Sequence, residues 1–261
     1  MEILDQFAIW AVYVVTAAIA LLAAEIGFRL GLWLQRRDPE SGKIPVTGPV
    51  VGGLLGLMAF LLAFSIGIVI NQHNGRKAMV VTEANAVGTA YLRAGFLAEP
   101  DRTTTRDLLQ EYVQIRLDAV GGDETVYEST VARSEEIQIE LWTIVENTVN
   151  QGRESATMAL FVDSINEVID VHAERLAAID LRLPRVLGVV LYIATFLSFL
   201  VVGVASSTDG KRDPLTILLF TLAYVAVLLI IVDLDRPQQG LLTVSQTALT
   251  DLLAQMKNAM P

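Results

Sequence analysis

The chain has 261 residues, 53% of them hydrophobic and 18% charged, with a mean hydropathy of +0.50. That is more apolar than an ordinary soluble domain, and the net charge of −10 argues against a nucleic-acid surface. The absence of cysteine excludes a disulfide framework and a thiolate metal site.

In chain order, the first membrane-length segment is Phe7–Ala24, with a polar extension to about Leu34. It follows the acidic start MEILDQ and has no small-residue cleavage site, so it reads as a retained span rather than a signal peptide. Trp10 and Trp33 near its two ends fit aromatic belts. Glu25 and Arg29, four residues apart, read as an interfacial ion pair followed by Arg36 and Arg37 as anchors. A short linker (36–43) leads to the second span, Val46–Ile70, which carries no charge. Without a clear stop this continues into NQHNGRKAMVVTEANAVGTAYLR, which is polar and outside the lipid.

The following insert reads as helical. Glu99-Pro100-Asp101 opens a helix to about Val120, closed by Gly121-Gly122. Asp123 opens another through Asn150, broken at Gln151-Gly152. From about Glu154, Met158, Phe161, Ile165, Val168, Ile169, Leu176 and Ile179 fall at a helical period, with His172 on the same stripe as a satisfied core residue. Pro184 marks a boundary before the third span, Val186–Ser206; a linker (207–213) and the fourth span, Pro214–Val232, follow. In lipid each backbone donor must be satisfied within its own segment, so the spans are helices.

The expected fold is therefore an all-α membrane protein, with four transmembrane helices and a helical extramembrane insert between the second and third. The expected domains are a first transmembrane pair (7–72), the helical domain (73–184), a second pair (185–235) and a tail (236–261). The linkers carry Arg36, Arg37, Lys43, Lys211 and Arg212, which favours the cytoplasm for that side. Arg76, Lys77, Arg182, Arg185 and Arg236 on the other side nearly cancel the bias, so the orientation stays open.

The second span carries the main candidate site. Steps of three and four give Phe60, Phe64, Gly67, Asn71, Asn74, Ala78, Thr82, Asn85 and Thr89 on one helix face. The face is aromatic in the membrane and small and uncharged-polar beyond it, as a hydrophobic constriction opening into a polar vestibule would require. Phe60, Phe64 and Ile68 are the expected constriction; the alternative is packing against lipid or another helix. Gly52, Gly56, Ala59 and Ala63 form small-xxx-small spacings suited to close helix approach. Asp233 and Asp235 at the end of the fourth span are a possible acidic ring, or else partners of Arg236 at a helix end stopped by Pro237 and Gly240. The two histidines, His73 and His172, have no carboxylate at ligand spacing, and no hydrolase or metalloprotease motif occurs. No enzyme, cofactor or metal is expected.

Three stretches, VTEANAVGTAYLRAGFLAEP (81–100), IDLRLPRVLGVVLYIATFLSFLVVG (179–203) and LDRPQQG (234–240), closely resemble a bacterial membrane family described as bestrophin-like, distantly related to bestrophin channels. The resemblance covers nearly the whole chain after Pro49, and EANAVGTAYLR is its most specific part. It implies a homopentameric ion channel, with five copies of the second helix around an axis. The chain departs from bestrophins at Asn71-Gln72-His73-Asn74-Gly75 and at Pro237-Gln238-Gln239-Gly240, and the calcium clasp has no counterpart, so calcium gating is not carried over.

The expected function is an oligomeric ion channel in the bacterial inner membrane, whose partners are the lipid bilayer, inorganic ions and copies of itself. Between Asn71 and Arg182 there are 19 Asp/Glu against 10 Lys/Arg, which favours cations. The alternative is a non-conducting scaffold or sensor whose insert binds a partner or ligand. A secondary transporter would want inverted repeats and broken midplane helices, of which Gly52-Gly53 is the one hint.

Overall fold

The computed structural model describes residues 7–37, 48–122, 124–152, 155–208, 214–236 and 240–258. Most of the two short linkers lies outside the described residues, as do Asp123, Glu154 and Pro237. The described residues form α1 (Ile9–Arg37), α2 (Gly48–Arg93), α3 (Asp101–Asp118), α4 (Glu124–Asn150), α5 (Ala156–Asp180), α6 (Arg185–Thr208), α7 (Pro214–Asp235) and α8 (Thr247–Asn258), with no strand among them. The chain divides into two units: one holds residues up to Gln72 and Arg182–Leu242, the other His73–Leu181 and the residues from Thr243 onward. Helix α2 contributes to both.

The first unit is the membrane part. Four helical stretches are long and apolar enough to cross a bilayer: α1, α2, the stretch containing α6, and α7. Their outward residues, among them Leu22, Val189, Ile193 and Leu219, are large, apolar and exposed, as lipid contact demands. Lipid tails are as apolar as leucine, so helices associate by close packing rather than by escaping water. Helices α1 and α6 achieve this with small residues. Ala20, Ala23 and Ala24 are buried, a Cβ on Gly27 would collide with the carbonyl of Leu200, and one on Gly203 with the carbonyl of Ala24. Tyr13 Oη donates to the Leu222 carbonyl of α7 at 3.2 Å, and the hydroxyls of Thr195 and Tyr224 pair at 2.9 Å. Glu25 and Arg29 form the expected ion pair at 2.8 Å.

Within the chain, the packing expected of Gly52, Gly56, Ala59 and Ala63 is not made. All four are exposed, and a Cβ at Gly52 or Gly56 would meet nothing within 4 Å. The close helix approach belongs to α1 and α6, and a contact through the α2 set requires another chain.

The second unit packs the distal part of α2 with α3, α4, α5 and α8. Its core holds Val87, Tyr91, Leu109, Tyr112, Ile137, Leu141, Phe161, Ile165, Val168 and Leu249. Ser155 caps α5 by accepting the Met158 N–H at 3.1 Å, and Gly152 after α4 takes a positive φ of 71° that other residues resist. The backbone leaves the helix at Leu181 (φ −71°, ψ 106°), and Pro184, which has no N–H to continue a helical ladder, stands just before α6. The tail is not a separate segment. Leu249, Leu253 and Met256 on one face of α8 are buried in this core, and Tyr91 Oη donates to the Met256 carbonyl at 3.3 Å.

Candidate conduction surface

Helix α2 has two faces of different fate. Met58, Leu62, Ser65 and Val69, and after a step of seven Arg76, Val80, Glu83, Val87 and Ala90, follow a spacing of three or four and are buried. The stripe named above lies on the other side. Phe60 and Phe64 are 65% and 54% exposed, their rings stacked at 6.4 Å and 16°. Gly67, Asn71, Asn74, Ala78, Asn85 and Thr89 are exposed, while Ile68 and Thr82 are half-buried. Thr82 donates its hydroxyl to the Ala78 carbonyl at 3.2 Å. In each unit α2 thus keeps a side turned away from the buried one, with Phe60, Phe64, Gly67 and Asn71 exposed in the first and Asn74, Ala78, Asn85 and Thr89 in the second.

In the second unit the stripe borders a groove of about 470 Å³ between α2 and α5. Thr82, Asn85 and Thr89 form one wall, Asp163, Ser164 and Glu167 the other. Arg93 stands at the groove too, and its Nη1 donates to the Leu160 carbonyl at 2.6 Å. The sequence reading missed Asp163 and Glu167. Their spacing of four on α5 was visible, but that they face the α2 stripe is a tertiary fact.

At the end of α7 the structure corrects the expected acidic ring. Asp233 and Asp235 are 3% and 1% exposed, so neither carboxylate is presented to water. Asp233 accepts the N–H groups of Leu241 and Leu242 at 2.8 and 2.9 Å, folding the chain back after the helix. Asp235 accepts the Leu183 N–H at 2.6 Å, with Arg182 Nη1 4.0 Å from its other oxygen. Arg236, also buried, donates from Nη2 to the Phe7 carbonyl at 3.0 Å. These charges tie α7 to the segments around it.

A second buried cluster sits in the extramembrane unit. Glu83, of the EANAVGTAYLR run, has no exposed surface and is held by Arg116 (Nε to Oε1, 3.2 Å) and by Arg175 at Oε2. Arg175 also donates to Gln246 Oε1 at 2.9 Å. Tyr112 Oη donates to Glu83 Oε1 at 2.7 Å and lies 3.0 Å from His172 Nδ1. With its proton given to Glu83, the tyrosine accepts from His172, which places the imidazole proton on Nδ1. His172 is therefore only half satisfied: its Nε2 has no partner among the described residues. Burial, with the Arg116 charge, pushes His172 down to about 4; burial pushes Tyr112 up to about 12 and Arg175 down to about 10. Among the described residues no group of histidines and carboxylates could hold a metal.

The sequence matches the Bestrophin-like domain over residues 16–249. The chain belongs to the bestrophin-like family. Solved structures agree at the level of fold. A bacterial Bestrophin homolog from Klebsiella pneumoniae, in a point-mutated form, is similar with a TM-score of 0.66 and 12% identity, over 94% of this chain and 96% of that one. A second structure of the Klebsiella pneumoniae homolog gives 0.63 and 15%, over 95% and 98%. A membrane protein with a glycine-to-alanine change gives 0.70 and 13%, over 97% and 100%. No curated protein matches. Within this bestrophin-like chain, Glu83 of EANAVGTAYLR ties α2 to α3 through Arg116 and Tyr112 and to α5 through Arg175, which in turn reaches Gln246.

Proposed function

We propose that this bestrophin-like protein is an oligomeric ion channel of the bacterial inner membrane, conducting along the exposed face of α2. The carrying observation is that face: a buried side toward the chain's own core, and opposite it an uncovered stripe that is aromatic at Phe60 and Phe64 and uncharged-polar from Asn71 to Thr89. Two stacked aromatic rings exposed on a membrane helix fit a dewetting constriction when copies surround an axis. Family membership supports channel function, and a pentamer is the arrangement proposed. Gly52, Gly56, Ala59 and Ala63, bare in the single chain, suit close contact between copies.

The test is planar-bilayer recording from purified oligomer of verified size. Wild type carries current, and Phe60→Ala and Phe64→Ala, which widen the constriction, raise the unitary conductance. Silence from wild type and both variants alike overturns the reading. Exposed Leu92 and Ile139 on the extramembrane helices favour a second reading, a scaffold that docks a partner there. That reading predicts a closed bundle and no current.

A further inference from the structure

We infer that Asp163 and Glu167 set the charge preference of the conduction path, making it select cations; the inference rests on the channel reading above. The stripe cannot discriminate by charge, because from Phe60 to Thr89 it carries none. The groove beside it can. Asp163 and Glu167, four residues apart on α5, are exposed and share the groove with Thr82, Asn85 and Thr89. Neither carboxylate has an ion-pair or hydrogen-bond partner among the described residues, in contrast to Glu83, Asp233 and Asp235, which are consumed by the fold. Among the described residues Arg93 is the one cation lining the groove, and it is anchored to the backbone of α5 at Leu160. Each copy therefore sets a net negative charge beside the polar part of the stripe.

No ion need be held by these side chains. The mechanism is a field: like charges around a cleft with protein walls raise the local concentration of counter-ions and deplete co-ions. Such a field reaches about 10 Å in ~0.1 M salt and about 3 Å in ~1 M. A selectivity made this way weakens as salt rises, whereas one made by a tight coordination site does not.

The experiment measures cation-to-anion permeability ratios, from reversal potentials in asymmetric potassium chloride, for the reconstituted full-length protein. Wild type gives a ratio above one at ~0.1 M salt. D163N/E167Q lowers it about threefold or more, D163K/E167K brings it below one, and all three converge near ~1 M. D170N/E174Q, which removes the same charge from exposed positions of α5 outside the groove, leaves the ratio near wild type. A ratio unmoved in the groove variants, or moved as far by D170N/E174Q, overturns the assignment while leaving conduction standing. Absence of current from wild type overturns the channel reading and this inference with it. If the lysine pair disturbs assembly, single D163N and E167Q, near-isosteric on exposed side chains, carry the same comparison.

Discussion

Glu83 faces two guanidiniums in a core without exposed surface, and the arrangement is costly to break from one side. Removing one partner of a buried ion pair leaves uncompensated charge and costs about 3–5 kcal/mol. Glu83→Gln should therefore melt the extramembrane helices well below wild type in thermal circular dichroism. Adding Arg175→Met to that variant should recover part of the loss, because it removes one of the stranded cations. His172 makes stability depend on pH. Its folded value near 4 lies below the unfolded value near 6.5, so the unfolded chain binds more protons between them, and stability falls as pH drops through that window. At about 1.4 kcal/mol per unit, acidifying from pH 7 to pH 5 should cost about 1–2 kcal/mol. His172→Asn should flatten that dependence in chemical denaturation, even if it lowers stability at pH 7. Asp233 should tolerate amidation poorly: Asn offers one acceptor where two backbone N–H groups now bind, and the turn to Leu242 should become accessible to proteases.

At the level of helices, the crossing of α1 and α6 is the least forgiving contact. Gly203→Val should drive a branched side chain into the Ala24 carbonyl and abolish the folded membrane unit, whereas Gly52→Ala and Gly56→Ala should leave the single chain folded. Tryptophan fluorescence and size-exclusion profiles in detergent separate these outcomes. Larger residues at Gly52 and Gly56 should act on the oligomer peak instead, if copies meet there. The helices themselves were readable from periodicity, apolar length and the Gly and Pro stops, because those signals are local. Partnership was not readable. The run Ala20, Ala23, Ala24, Gly27 in α1 was as visible as the glycines of α2, but which small-residue face meets a backbone depends on a helix some 170 residues further on. For the same reason the α2 stripe proposed for conduction could be nominated from spacing alone, while the placement of Asp163 and Glu167 beside it could not. The two aspartates of α7 were named for their charge, and burial gave that charge another use.

Across the whole molecule, one helix serves two environments with two different logics. In the membrane unit α2 buries Met58, Leu62 and Val69; in the extramembrane unit it buries Val80, Glu83 and Val87. The extramembrane unit is discontinuous in sequence, because α8 supplies Leu249, Leu253 and Met256 to a core otherwise built by residues 73–181. Ending the chain after Leu242 should leave all four spanning helices present yet expose the apolar faces of α3 and the distal α2, giving an insert that is cleaved rapidly in limited proteolysis. The same discontinuity bears on biogenesis. The ribosome delivers the insert before the third and fourth spans, and its closing wedge only after them. During synthesis the insert must wait, incomplete and with part of its core bare, while those spans enter the bilayer. Because α8 follows α7 in the chain, the core of the extramembrane half is completed only after the fourth span has been synthesised.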